Sequence, residues 1–383
     1  MPKYDYVINS KLPKVGTTIF TVMSALANEQ GAINLSQGFP DFDIDGQLVE
    51  LVNKHMKAGV NQYAPMPGAA SLREVLVDKI DALYGARYDH NSEITVTAGA
   101  TQAIYTAISA LVKEEDEVII FTPAYDCYEP AIELNGGKTI FVKLKAPTYK
   151  VDWEEVKKVV SRKTRMIIIN TPHNPTGSVW GPEDLQQLDH ITKDTDIVVL
   201  SDEVYEHLIY EGEEHQSVLR FPQLRERSLA VYSFGKTFHA TGWKIGYCVA
   251  PAHLMKEFRK VHQFNVFSVN TPMQYALAEY LQDEKTYTYL SSFFEKKRDF
   301  FLSTMAGSRL KPLHCDGTYF HLFDYSQISE EADTLFAKRL TTEFGVAAIP
   351  VSVFYSDGRD DKIIRLCFAK TEETLEKAGL LLQ

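Results

Sequence analysis

Residues 93–112 read EITVTAGATQAIYTAISALV. A short β-branched run passes through the small residues Ala98, Gly99 and Ala100 into a helical pattern opened by Thr101 and Gln102. Unpaired N–H groups at such a helix start form a phosphate site, although a plain strand-to-helix turn has the same spacing. Toward the C-terminus the alternation repeats. EVIIF, TIFVKL, RMIIIN, DIVVLSDE and LAVYSF are separated by the helical or turn-like stretches YDCYEPAIELNG, EEVKKVVSR and PEDLQQLDHIT. Repeated β-α-β units predict an α/β fold: a mostly parallel central sheet with helices on both faces and its ligand beyond the carboxyl ends of the strands.

Toward the N-terminus lie an amphipathic stretch over Thr17–Asn28, a turn-rich NLSQGFPDFD and a helical pattern around Leu48–Ala58. A further helix is predicted over Leu72–Tyr84, its start marked by Ser71 with Glu74 three residues on. Past Phe267, MQYALAEYLQ and TYTYLSSFFEKKRDFFLSTM read as long helices, and beyond Met305 the order is strand, helix, strand in TYFHLF, ADTLFAKRLTTEFG and KIIRLCFA. The predicted division is a large domain over 46–280, a smaller α/β domain over 281–383, and an N-terminal arm and helix over 1–45 packing with the small domain.

The chain has 383 residues, 45% of them hydrophobic and 24% charged, which suits a folded protein with a sizeable core in each domain. Its 40 basic and 51 acidic residues leave a net charge of −11, which opposes binding to nucleic acid or an anionic membrane surface. Cys127, Cys248, Cys315 and Cys367 show no C-x-x-C pairing and read as thiols in a reducing compartment. The opening MPKYDYVINSKLPKVG lacks a signal-peptide core, and no long apolar window follows, so the expected location is the cytoplasm.

Polar residues gather just past the predicted strands. In NTPHNPTG, Pro172 and Pro175 fix the chain around Asn174. In DIVVLSDEVYEHL, Asp202 and Glu203 end an apolar strand and Tyr205 follows; Asp202 is either a functional carboxylate or the cap of a next helix. SLAVYSFGKTFHATGWKIGY holds Ser233, Lys236 and Lys244. A phosphate-binding G-x-x-x-x-G-K-T would need glycine where Ala230 stands, and the partner motifs of S-x-x-K serine acyltransferases are missing. What remains is a lysine in a turn where partial desolvation suits Schiff-base chemistry, unless it is simply a surface lysine. Arg365 in KIIRLCFA either points inward to an anion or outward from a two-sided strand. The eleven histidines show no metal-ligand spacing. Pyridoxal phosphate needs a lysine, an acid at the pyridine nitrogen, donors at its phenolic oxygen and a phosphate cup. Lys236, Asp202, Asn174, Tyr205, Ser233, Lys244 and the 99–102 turn supply those parts.

With INLSQGFPDF, YAPMPGAASLRE, NPTG, SDEVYE, SFGKTFHATGWKIGY and IIRLCFAK in that order, the chain resembles the class I, fold-type I pyridoxal-phosphate-dependent aminotransferases. Within them it is most similar to the group containing kynurenine, glutamine and methionine aminotransferases. The resemblance implies that Lys236 bonds the cofactor and Asp202 pairs with its ring nitrogen, while Asn174 and Tyr205 bind its phenolic oxygen. It also implies a phosphate turn at Gly99, Ala100, Thr101 and Gln102 completed by Ser233 and Lys244, and Tyr125 stacked on the ring. A homodimer is implied, with Tyr63 reaching the partner's phosphate. The substrate carboxylate would fall to Arg365, Asn174 and the Gly38 backbone, with Phe20 and Phe267 walling the side-chain pocket. The implied reaction is ping-pong transfer of an amino group from an apolar, sulfur-containing or aromatic L-amino acid, methionine first with phenylalanine, kynurenine and glutamine as further candidates, to a 2-oxo acid. The alternatives are a cysteine-conjugate β-lyase and a regulatory protein that keeps the cofactor without turnover.

Overall fold

The computed structural model describes residues 8–383. Met1–Val7, part of the predicted N-terminal arm, lie outside the described residues. The apolar runs of the sequence build a seven-stranded sheet. From edge to edge it runs Ile94–Thr97, Gly246–Val249, Ser228–Ser233, Val198–Asp202, Thr164–Asn170, Glu117–Thr122 and Lys138–Lys143. All pairings are parallel except those of Gly246–Val249, which runs antiparallel to both neighbours. Successive residues of one strand feed opposite cores: Ile167, Ile169 and Val199 pack on one face, Met166, Ile168, Val198 and Leu200 on the other. That two-sided burial is why these strands read as unbroken apolar runs. Register sets Asn170 beside Asp202 at the carboxyl edge, with Ser233 ending the next strand.

A second, four-stranded antiparallel sheet runs Ile349–Pro350, Ile363–Cys367, Phe320–Asp324 and Lys311–Pro312. The N-terminal segment joins this part of the molecule. Ile33–Asn34 pairs in parallel with Val346–Ala347, and the Cys367 N–H donates to the Leu35 carbonyl at 2.8 Å.

Two predicted helix boundaries are corrected. The helix expected from Leu72 begins at Ala70, capped by Ala69 with no side-chain bond. The turn closed by the Gly68 N–H on the Pro65 carbonyl launches it early, and Gln274 accepts the Ala69 N–H at 2.7 Å. Ser71 is thereby left inside the helix with its hydroxyl buried and unpartnered, and Glu74 faces His90. The helix expected over 286–305 breaks at Tyr289 into Lys285–Thr288 and Leu290–Thr304. Among the described residues no helix is long and apolar enough to cross a membrane.

Candidate active site

A cavity opens at the carboxyl edge of the large sheet, lined by residues from five of its strand ends. Asp202 is the last residue of its strand and is buried; turns follow it instead of a helix, so it caps nothing. Its Oδ2 accepts the Tyr128 hydroxyl at 2.6 Å and its Oδ1 the Val204 N–H at 3.4 Å. Burial pushes its carboxyl up to about 6, while the Tyr128 and Val204 bonds and the charge of Lys236 pull it down. Neighbouring Glu203 is committed elsewhere, accepting from Ser201, Tyr232 and the Val218 N–H. Glu206 is taken by Lys79 at 2.7 Å and by the Tyr84 hydroxyl. Of the three carboxylates in SDEVYE, only Asp202 lines the cavity.

Lys236 lies on the short helical turn Phe234–Thr237. Its Nζ donates to the Gly38 carbonyl at 3.2 Å and to the Tyr319 hydroxyl at 3.0 Å. Desolvation lowers its ammonium to about 8, so the neutral amine is far more accessible near neutral pH than on an exposed lysine. The surface-lysine alternative is therefore set aside.

At the other end of the cavity the helix Ala100–Leu111 begins on Gly99, which has φ +80° and no side chain to cap the first N–H groups. These amides are free for an anion. Lys244, also left-handed at φ +54°, brings its Nζ within 3.6 Å of where a Cβ on Gly99 would sit. Ser233 and Thr101 complete this end. Tyr125 lines the cavity and meets Tyr128 edge-on, ring centroids 5.9 Å apart. Gln102 turns away: its side chain accepts the Ala98 N–H at 3.0 Å and donates to Thr106 at 2.6 Å. Its side chain braces the turn rather than lining the cavity.

Arg365 is only 1% exposed, which eliminates the outward-facing alternative. Its Nη1 donates to Asn174 Oδ1 at 2.6 Å and its Nη2 to the Ser36 carbonyl at 3.2 Å, while Nε has no partner among the described residues. The guanidinium lies 3.8 Å from the Phe320 ring centre, with Phe20 and Phe354 at 5.4 and 5.5 Å. A buried cation held by carbonyl oxygens and aromatic faces, with no ion pair among the described residues, is poised for a carboxylate. Asn174 gives its oxygen to Arg365 and keeps its amide N–H groups for the cavity.

Two predicted residues are not brought here. Tyr63 is 81% exposed and Phe267 49% exposed, and they meet each other edge-on at 5.4 Å on the surface. Conversely, sequence reasoning missed Tyr128 and Tyr319, which reach Asp202 and Lys236 only through tertiary packing. The three-residue step from Tyr125 to Tyr128 was the only available signal for the first. An acid, an amine, an aromatic face and an anion cup surround one cavity, and these residues fit pyridoxal phosphate.

The family model for aminotransferase class I and II matches residues 30–379. A methionine aminotransferase of Escherichia coli (strain K12) is 54% identical over 380 residues, covering 99% of this chain and 98% of that protein. Human kynurenine–oxoglutarate transaminase 1 is 36% identical, with 92% of each chain covered. The solved structure of YbdL from Escherichia coli, for which a methionine aminotransferase function was identified, superposes with a TM-score of 0.97 at 53% identity, over 98% of this chain and 99% of that one.

Proposed function

The chain belongs to the class I and II aminotransferases, and on that footing we propose that it transaminates an apolar L-amino acid, methionine first, by giving its residues the following roles. It is a pyridoxal-phosphate-dependent enzyme of fold-type I. Lys236, Asp202 and Tyr205 are the catalytic groups. Gly99, Ala100 and Thr101 with Ser233 and Lys244 hold the phosphate on a turn that Gln102 braces, Tyr125 covers the ring, and Asn174 with Tyr205 donates to its phenolic oxygen. The observation that carries the reading is a desolvated lysine and a buried aspartate on one cavity, with Arg365, which has no ion pair among the described residues, bonded to Asn174 of the cavity wall.

When bound, pyridoxal phosphate supplies an electron sink that makes the substrate Cα–H acidic. Arg365 and Asn174 bind the substrate carboxylate, with the Gly38 backbone beside them. The Lys236 amine takes the proton from Cα and hands it on, a general-base task matched to an amine titrating near 8. Asp202, kept ionised by Tyr128, holds a proton at the ring nitrogen. Buried aromatic rings around Arg365 shield the reacting atoms from water. The same groups serve both halves of the reaction, which predicts ping-pong kinetics with a 2-oxo acid as second substrate.

Methionine preference is supported by the Escherichia coli relative and by Phe20 beside Arg365. A homodimer is supported by the exposed aromatics Tyr63, Phe264 and Phe267, the first of which would serve the partner's phosphate. Four free cysteines suit the cytoplasm. The separation of the seven-stranded sheet from the four-stranded one supports a large domain over 46–280 and a small one over 281–383, with 1–45 as the arm. The test is an absorbance spectrum of the purified protein followed by L-methionine, L-phenylalanine, L-kynurenine and L-aspartate in turn without acceptor. Conversion of the visible band by the apolar amino acids and not by aspartate is expected; a band that no amino acid changes would refute the reading.

A further inference from the structure

The Lys236 amine, the Tyr319 hydroxyl and the Gly38 carbonyl form a closed triangle. Lys236 Nζ lies 3.0 Å from the phenol oxygen and 3.2 Å from the carbonyl, and the phenol donates to the same carbonyl at 2.6 Å. The phenol has one proton, and it is spent on Gly38, so toward Lys236 the phenol oxygen is an acceptor. A neutral amine has two N–H groups and one lone pair. With both N–H groups taken by the two oxygens, the lone pair is directed away from them, and Lys236 lines the cavity.

The two acceptors are held rigidly. A Cβ on Gly38 would meet the Phe320 ring at 2.6 Å, so only glycine fits there. The strap on either side of it is tied down by Arg365 on the Ser36 carbonyl and by Lys370 on the Phe39 carbonyl at 2.8 Å. Tyr319 is fully buried, its ring set among Phe320, Tyr205 and Phe294 at 4.9, 5.2 and 5.8 Å. Burial also pushes its phenol well above the ordinary tyrosine value, which keeps it protonated and its proton on Gly38.

We propose that Tyr319 is a positioning residue which, with the Gly38 carbonyl, holds the free Lys236 amine with its lone pair aimed at the reacting carbon. The inference rests on the aminotransferase role of Lys236 given above and deepens it.

The test is Tyr319→Phe, which keeps the ring and removes the acceptor. Two readouts separate positioning from structure. In the apoenzyme, labelling of Lys236 by trinitrobenzenesulfonate, followed by peptide mass spectrometry across pH, reports the amine's titration. Loss of an acceptor that favours the ammonium moves that titration to lower pH. In the holoenzyme, single-turnover reaction with L-methionine is expected to slow about 10- to 100-fold, with KM changed less than twofold and a larger isotope effect from α-deuterated methionine. A variant with unchanged titration and unchanged isotope effect overturns the proposal, and so does a Y319F chain that does not fold, since the hydroxyl would then be structural. If wild-type holoenzyme fails to convert methionine, the functional reading fails, while the apoenzyme titration still decides whether Tyr319 holds the amine.

Discussion

At the residue scale, the site's chemistry comes from charges kept where water does not reach. Asp202 illustrates the cost. Its carboxyl is raised by burial to about 6, so the folded apoenzyme binds more protons than the unfolded chain between the ordinary aspartate value and that point. Its contribution therefore destabilises the apoenzyme as pH rises through that window, on the order of 3 kcal/mol when fully ionised. Asp202→Asn is predicted to raise the apoenzyme melting temperature at pH 7 while lowering kcat by at least about 100-fold, with calorimetry and initial rates as the check. Tyr128→Phe removes the hydrogen bond that opposes burial. The acid limb of the kcat/KM profile is then expected to move to higher pH. For Arg365, replacement by Lys loses the geometry that bonds Asn174 and Ser36 at once. KM for methionine is expected to rise about 10-fold or more, with a smaller change in kcat.

At the element scale, the strand ends were legible because a β-branched run that stops at Asn170, Asp202 or Ser233 leaves one polar side chain at the mouth of a buried strand. Such a signal is local, and NPTG and SFGKT added to it. Helix starts were less legible. Ser71 and Glu74 have the spacing of a capping pair, but a turn two residues earlier had already committed the chain. Tyr128, Tyr319 and the surface setting of Phe267 were illegible because each depends on which distant element comes alongside. The helix Ala70–Tyr84 matters to the site all the same. Its Lys79 reaches Glu206, four residues past Asp202, in a fully buried pair. Burial pushes the Glu206 carboxyl up, and Lys79 and His207 outweigh it, leaving it well below the usual range. That contribution is present above the ordinary glutamate value and fades as pH falls. Lys79→Met strands the carboxylate and is expected to cost about 3–5 kcal/mol at pH 7, with a smaller deficit in acid where Glu206 protonates. Urea melts at pH 7 and pH 4.5 check it.

At the scale of the whole molecule, the exposed aromatic surface around Tyr63 and Phe267 makes a quantitative prediction: sedimentation equilibrium is expected to give about twice the 43.4 kDa chain mass. Tyr63→Ala is expected to weaken cofactor affinity about 10-fold or more if that phenol serves the partner's phosphate, as equilibrium dialysis would read. The pairing of Ile33–Asn34 with Val346–Ala347 has a consequence for synthesis. The strap leaves the ribosome well ahead of its partner strand, which follows roughly 300 residues later, a wait on the order of 15–60 s at 5–20 residues per second. Throughout that interval the large sheet can assemble while the strap still lacks Val346–Ala347 and the Cys367 N–H, which pair with its backbone in the finished fold. The strap is thus open to chaperones over that interval, and Arg365, which bonds Asn174 at the cavity wall, is added only when the strand Ile363–Cys367 emerges.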